Sequence, residues 1–165
     1  MSQIDTAYPS DAAPAIRPLI PAVAGFERLV APIGEPMLRI AAGLMLMPHG
    51  AQKLFGWFGG YGLQGTGQFF ATKLGLEPGV LMAGMAGSVE FFGGLLLALG
   101  LLTRPAAVAV AFMMLIAIST AHWSAGFFNT NGGYEFALLW GLVAVSFALR
   151  GGGRFSVDAL IGREI

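Results

Sequence analysis

The chain contains no cysteine, which excludes disulfides, thiol redox relays, iron–sulfur clusters and Cys-ligated zinc. Charge is scarce as well. Only 11% of the 165 residues are Asp, Glu, Lys or Arg, where an ordinary soluble domain carries about 25%. Nine basic and nine acidic side chains cancel, so no net charge favours a nucleic-acid partner. No uninterrupted apolar run follows a basic start, which argues against a secretory signal peptide. What the chain has instead is apolar surface: 56% of its residues are hydrophobic. Such content, distributed in long runs, reads as an all-α, polytopic membrane protein surrounded by lipid bilayer.

Four runs are long and apolar enough to be spans, at about 37–57, 79–102, 105–122 and 135–150. Each approaches the ~20 residues that a bilayer core demands, the last being short. Pro78 and Pro105 suit the first turns of helices, where a missing N–H costs little. Thr103 suits an N-cap, and the glycines at 151–153 a helix end. The reading is therefore a four-helix transmembrane bundle over 36–160. The first inter-span loop, "TGQFFATKLG" (66–75), adds a short helix capped by Thr66 and ended by Gly75. Residues 1–35, broken by Pro9, Pro14, Pro18, Pro21 and Pro32, read as a disordered tail with a turn or two over 22–31. Residues 161–165 form a short C-terminal tail.

Basic residues orient the bundle. With both termini on one side, that side holds Arg17, Arg28, Arg39, Arg104, Arg150, Arg154 and Arg163, against Lys53 and Lys73 on the other. Both termini are expected in the cytoplasm of a plasma (inner) membrane protein, with 58–77 and 123–134 outside.

Polar residues inside the spans stand out against this background. Arg39, near the start of the first span, is expected to snorkel to the interface, and Lys53 to snorkel outward. His49 lies deeper, four residues before Lys53 and so on the same helix face, with Gln52 beside them. Pro48 frees the Leu44 carbonyl, as happens beside cavities. Glu90 falls midway along the second span, on one face with Ala83, Gly87, Gly94 and Ala98. Small residues there let a neighbouring helix approach, so Glu90 faces protein and not lipid. His49 sits at a similar depth on the antiparallel neighbour, which makes it the expected partner. His122, Tyr134 and Glu135 close the other two spans on the outer side. Together with His49, Gln52 and Lys53 they are expected to wall a polar pocket in the outer half of the bundle.

The blocks "HGAQKLFGWFGG" (49–60), "EFFGGLLLALGLLTRPAA" (90–107), "HWSAGFFNTNGGYE" (122–135) and "GGRFSVDAL" (152–160) resemble, in order, those of the DoxX family. The resemblance covers about 37–160. It implies a small bacterial or archaeal four-helix membrane protein, related to the large subunit of an archaeal thiosulfate:quinone oxidoreductase and to a mycobacterial membrane oxidoreductase partner. Where many members carry proline after the Tyr-Glu pair, this chain has Phe136-Ala137.

Three functions follow from the resemblance and the residues together. The first is a redox-associated subunit that binds a quinone, with Glu90 and His49 as proton-handling residues and Gln52, Lys53, His122, Tyr134 and Glu135 as ligand-binding ones. The second is a non-enzymatic membrane adaptor for a soluble or membrane oxidoreductase. The third is a small-solute or proton transporter, which four helices support better as a homo-oligomer. Haem ligation by the two histidines, or a metal held by His49, His122, Glu90 and Glu135, has suitable donor chemistry but no short ligand motif, and neither is predicted.

Overall fold

The computed structural model describes residues 19–163, and every regular element among them is helical. In chain order they are α1 (Ala24–Phe55), α2 (Gly62–Leu74), α3 (Gly79–Leu99), α4 (Thr103–Ala125), α5 (Glu135–Arg150) and α6 (Val157–Leu160). The chain divides into two units, one ending at Pro32 and one beginning at Ile33. Described residues of the first comprise a turn, Pro21–Val23, and the opening turns of α1, with Phe26 and Leu29 exposed.

The second unit is a membrane bundle. The segments containing α1, α3 and α4 are each long and apolar enough to cross a bilayer. Helix α5 has 16 residues, about 24 Å at 1.5 Å per residue. It packs along α4, burying Ala144 and Phe147 among Ala107, Val110 and Met114, and the core continues to Leu46 of α1 and Leu97 of α3. Outward-facing positions such as Met45, Phe92, Leu95, Phe112, Leu115 and Leu142 stay exposed, as lipid contact requires.

Helix α1 starts at Ala24, well before the apolar run at Met37. The expected tail over 1–35 thus falls partly outside the described residues and is partly helix. Proline punctuation misleads here, because Phe26, Leu29, Val30 and Ile33 sustain helical spacing across Pro32. Helix α2 likewise begins four residues before Thr66, which is buried within it. Gly75 ends it as expected, at φ +66°, with the Leu76 N–H donating to the Phe70 carbonyl at 3.0 Å.

At the end of the bundle rich in arginine, here the basic end, two expectations are corrected. Arg39 does not snorkel; it is 1% exposed. Its guanidinium donates to the carbonyls of Leu97, Ala98 and Phe155, which converge where α3 stops and the C-terminal segment crosses. A planar fork of donors suits three convergent carbonyls better than open water does. Nor does Thr103 cap α4. Its hydroxyl donates to Asp158 at 2.7 Å, and the same carboxylate accepts the N–H groups of Leu102 and Thr103 at 2.8 and 2.9 Å. The cap comes from a residue more than fifty positions away, and Leu102 adopts φ +49° beside it. Burial alone would raise the Asp158 carboxyl, but the Thr103 and Leu102 hydrogen bonds and the Arg39 charge outweigh it and hold it below the usual range.

Helices α1 and α3 meet through glycine. A Cβ built on Gly43 would lie 2.6 Å from the Ala98 nitrogen, and one on Gly50 would lie 2.6 Å from the Gly87 carbonyl. Gly94 and Gly87 supply the opposing surfaces, so two glycine pairs seven residues apart seat the helices backbone to backbone. Within lipid, helix association rests on such packing. Gly43→Ala is expected to lower stability by about 1–3 kcal/mol, read as the thermal midpoint in detergent. Gly34→Ala, where a Cβ meets nothing within 4 Å, is expected to be neutral or to gain up to ~1 kcal/mol from helix propensity. Equal effects at the two positions would refute the close seam.

Candidate functional site

The glycine seam determines what Lys53 and Glu90 can do. Each lies three residues, just under one turn, beyond a seam glycine: Lys53 after Gly50, and Glu90 after Gly87. With the backbones in contact, the Lys53 side chain spans the gap and its Nζ sits 2.8 and 2.6 Å from the two Glu90 carboxylate oxygens. Lys53 therefore turns inward, not outward as expected. Glu90 is buried, at 7% exposure, and Lys53 is half-buried. An unpaired carboxylate at this position would cost several kcal/mol, so the pair is the condition for placing either charge here.

Glu90 also occupies a special backbone position. Residues Val89–Gly93 form a π-helical turn inside α3. A second π-turn, Ile118–His122, interrupts α4. There the hydroxyls of Ser119 and Thr120 both donate to the Ile116 carbonyl, at 3.0 and 2.8 Å. Turns of this kind are uncommon and concentrate at functional sites. His122, the last residue of the second, places Nδ1 2.7 Å from the Gly132 carbonyl. A carbonyl only accepts, so Nδ1 carries the proton, and in the neutral ring Nε2 is then the acceptor.

Both π-turns open onto one cavity of about 380 Å³. Lys53, Glu90, Thr120 and His122 contribute its polar wall. Phe69, Phe70 and Leu74 from α2, with Met113 and Ile116 from α4, contribute the apolar one. The short loop helix thus roofs the site with an aromatic pair. Apolar walls with a few convergent polar groups are the usual composition of a small-molecule pocket.

Of the residues singled out in the sequence, Glu90, Lys53 and His122 come together here. The others do not line this cavity. His49 is exposed on the outward face of α1, because the antiparallel seam turns Gly50 rather than its neighbour toward α3. Lys53, not His49, is the partner of Glu90. Gln52 donates to the Phe58 carbonyl at 3.4 Å and closes the loop after α1. Tyr134 stacks on Trp123 at 5.5 Å and meets Phe127 edge-on. Glu135 opens α5, its N–H donating to the Phe127 carbonyl. Among the described residues no three His, Asp or Glu side chains converge in a metal-holding group. Sequence reasoning did not assign Thr120 or the Phe69–Phe70 pair to the site. From the sequence, Phe69, Phe70 and Leu74 were expected to lean on the bundle or the bilayer, without being assigned to the pocket.

Comparison with known proteins agrees with the architecture. The DoxX family profile matches residues 36–123. A Bacillus subtilis protein named "Putative oxidoreductase CatD" is 33% identical over 129 residues, covering 78% of this chain and 87% of its own. An uncharacterised protein of Haemophilus influenzae is 33% identical over 124 residues, covering 73% and 85%. No solved structure matches. The profile match begins just after the proline-rich segment and runs through both π-turns, and with relatives aligned along most of their length the chain belongs to the DoxX family.

Proposed function

We propose that the protein is a membrane component of a quinone-linked oxidoreductase and binds the quinone head group in the cavity between α2, α3 and α4. The observation that carries this reading is a buried Lys53–Glu90 pair opening, with His122, onto an otherwise apolar chamber. Quinone and quinol interconvert by exchange of two electrons and two protons. A head group therefore needs flat apolar walls together with groups that hold or move protons at its two oxygens. The Lys53 ammonium is a donor for a quinone carbonyl, Glu90 holds that ammonium in place and accepts a proton in turn, and Phe69 and Phe70 face the ring. The cysteine-free chain takes its electrons from a partner oxidoreductase. The name of the Bacillus relative belongs to the same reaction class.

Binding of a short-chain ubiquinone analogue, followed by tryptophan quenching in detergent, tests this directly. His122→Ala is expected to weaken it about tenfold, the loss of ~1.4 kcal/mol. Because a single change in the ion pair leaves an uncompensated charge, the pair is replaced together by Lys53→Met with Glu90→Met, which keeps volume and folding. That folded variant is expected to lose binding, while His49→Ala retains it. Undiminished binding in the double variant, or no saturable binding by the native protein, would overturn the reading in favour of the adaptor role.

The same proposal places the protein in the plasma membrane with its basic end in the cytoplasm. Among the described residues Lys53, paired with Glu90, and Lys73 are the cations at the opposite end, against Arg104, Arg150, Arg154 and Arg163 at the basic end. Reporter fusions after Ile165 are expected to read cytoplasm, and insertions at 129–132 to read the outside. The opposite pattern would place the cavity on the cytoplasmic face.

A further inference from the structure

A second cavity, of about 370 Å³, lies at the basic end beside α6, lined by Arg150, Arg154, Arg163, Ser156 and Asp158 among others. We propose that it binds the phosphate of an anionic phospholipid headgroup. Its charge balance is the first argument. The Asp158 carboxylate already accepts three hydrogen bonds from Leu102 and Thr103 and is directed into the protein. Glu35 reaches Arg150 at 3.3 Å, and Gly153 packs against that carboxylate. Arg154 lies 4.8 Å over the Phe155 ring, and neither it nor Arg163 has a carboxylate partner among the described residues. The cavity therefore presents surplus guanidinium donors, which suit a phosphate group.

Position decides between a lipid and a soluble phosphate. Arg150 is the last residue of α5, so the cavity opens where a membrane helix leaves the hydrocarbon. Large apolar side chains stand exposed around it: Leu149 at 73%, Leu160 at 84% and Ile161 at 55%. Guanidinium groups rimmed by unburied aliphatic surface match an amphiphile, with phosphate inside and acyl chains outside.

Native mass spectrometry of the full chain from micelles doped equally with phosphatidylglycerol and phosphatidylcholine tests the site. Native protein is expected to retain phosphatidylglycerol about tenfold over phosphatidylcholine. Arg154→Gln combined with Arg163→Gln is expected to bring the two lipids level while the elution profile and thermal midpoint stay unchanged. Raising salt should erode the native preference in the same way. Equal retention by the native protein, or a preference that survives both the variant and the salt, overturns the proposal. Protection by inorganic phosphate without a lipid preference would assign the cavity to a soluble anion and overturns it equally. Should the double variant fail to fold, the salt titration of the native protein decides.

Discussion

The backbone contact between α1 and α3 is the constraint on which the rest of the structure depends. Lipid offers no hydrophobic reward for joining two apolar helices, so close approach must come from shape. Gly43, Gly50, Gly87 and Gly94 supply it. Side chains at these four positions would hold the helices apart, and a lysine ammonium would no longer reach a carboxylate across the seam. The polar wall of the cavity is therefore a consequence of residues that have no side chain at all.

The two ends of the bundle manage polar groups by different means. At the basic end two charged groups are consumed internally: Arg39 collects three carbonyls, and Asp158 caps a helix begun a third of the chain earlier. Such cross-connections tie the C-terminal segment to the α3–α4 turn and make that end a rigid buckle. The aromatic end holds a chamber, roofed by a helix that is itself only a loop insertion. Cross-connection at one end and a chamber at the other is the division that the proposed ligand binding calls for.

Much of this was legible in the sequence. Apolar runs marked α3, α4 and α5 to within a few residues and prolines the starts of α3 and α4, and the small-residue face around Glu90 turned that carboxylate toward protein. The partner was missed for a physical reason. His49 matched Glu90 in depth, but depth along a helix says nothing of azimuth, and the seam rotates His49 outward. Arg39 was misread because snorkelling is the cheaper fate for an arginine near a membrane surface unless several carbonyls converge close by. Those carbonyls arise only when α3 ends at Leu99 and Phe155 crosses it, a contact between segments far apart in sequence. The cap on α4 escaped notice likewise, since local rules look for caps next door.

The π-turns carry one further implication. Each accommodates one residue more than the α-helical path would, and Glu90 and His122 both sit within one. Removing a single residue from Val89–Gly93 would restore an ordinary helical turn there and leave the flanking halves of α3 in register. The seam glycines outside the turn would keep their facing, while Glu90, inside it, would be re-aimed. In this fold the polar wall and the glycine seam are compatible only through that extra residue, so the chamber is specified by chain length as much as by chemistry. A relative could keep every polar side chain and still lose the site through one deletion.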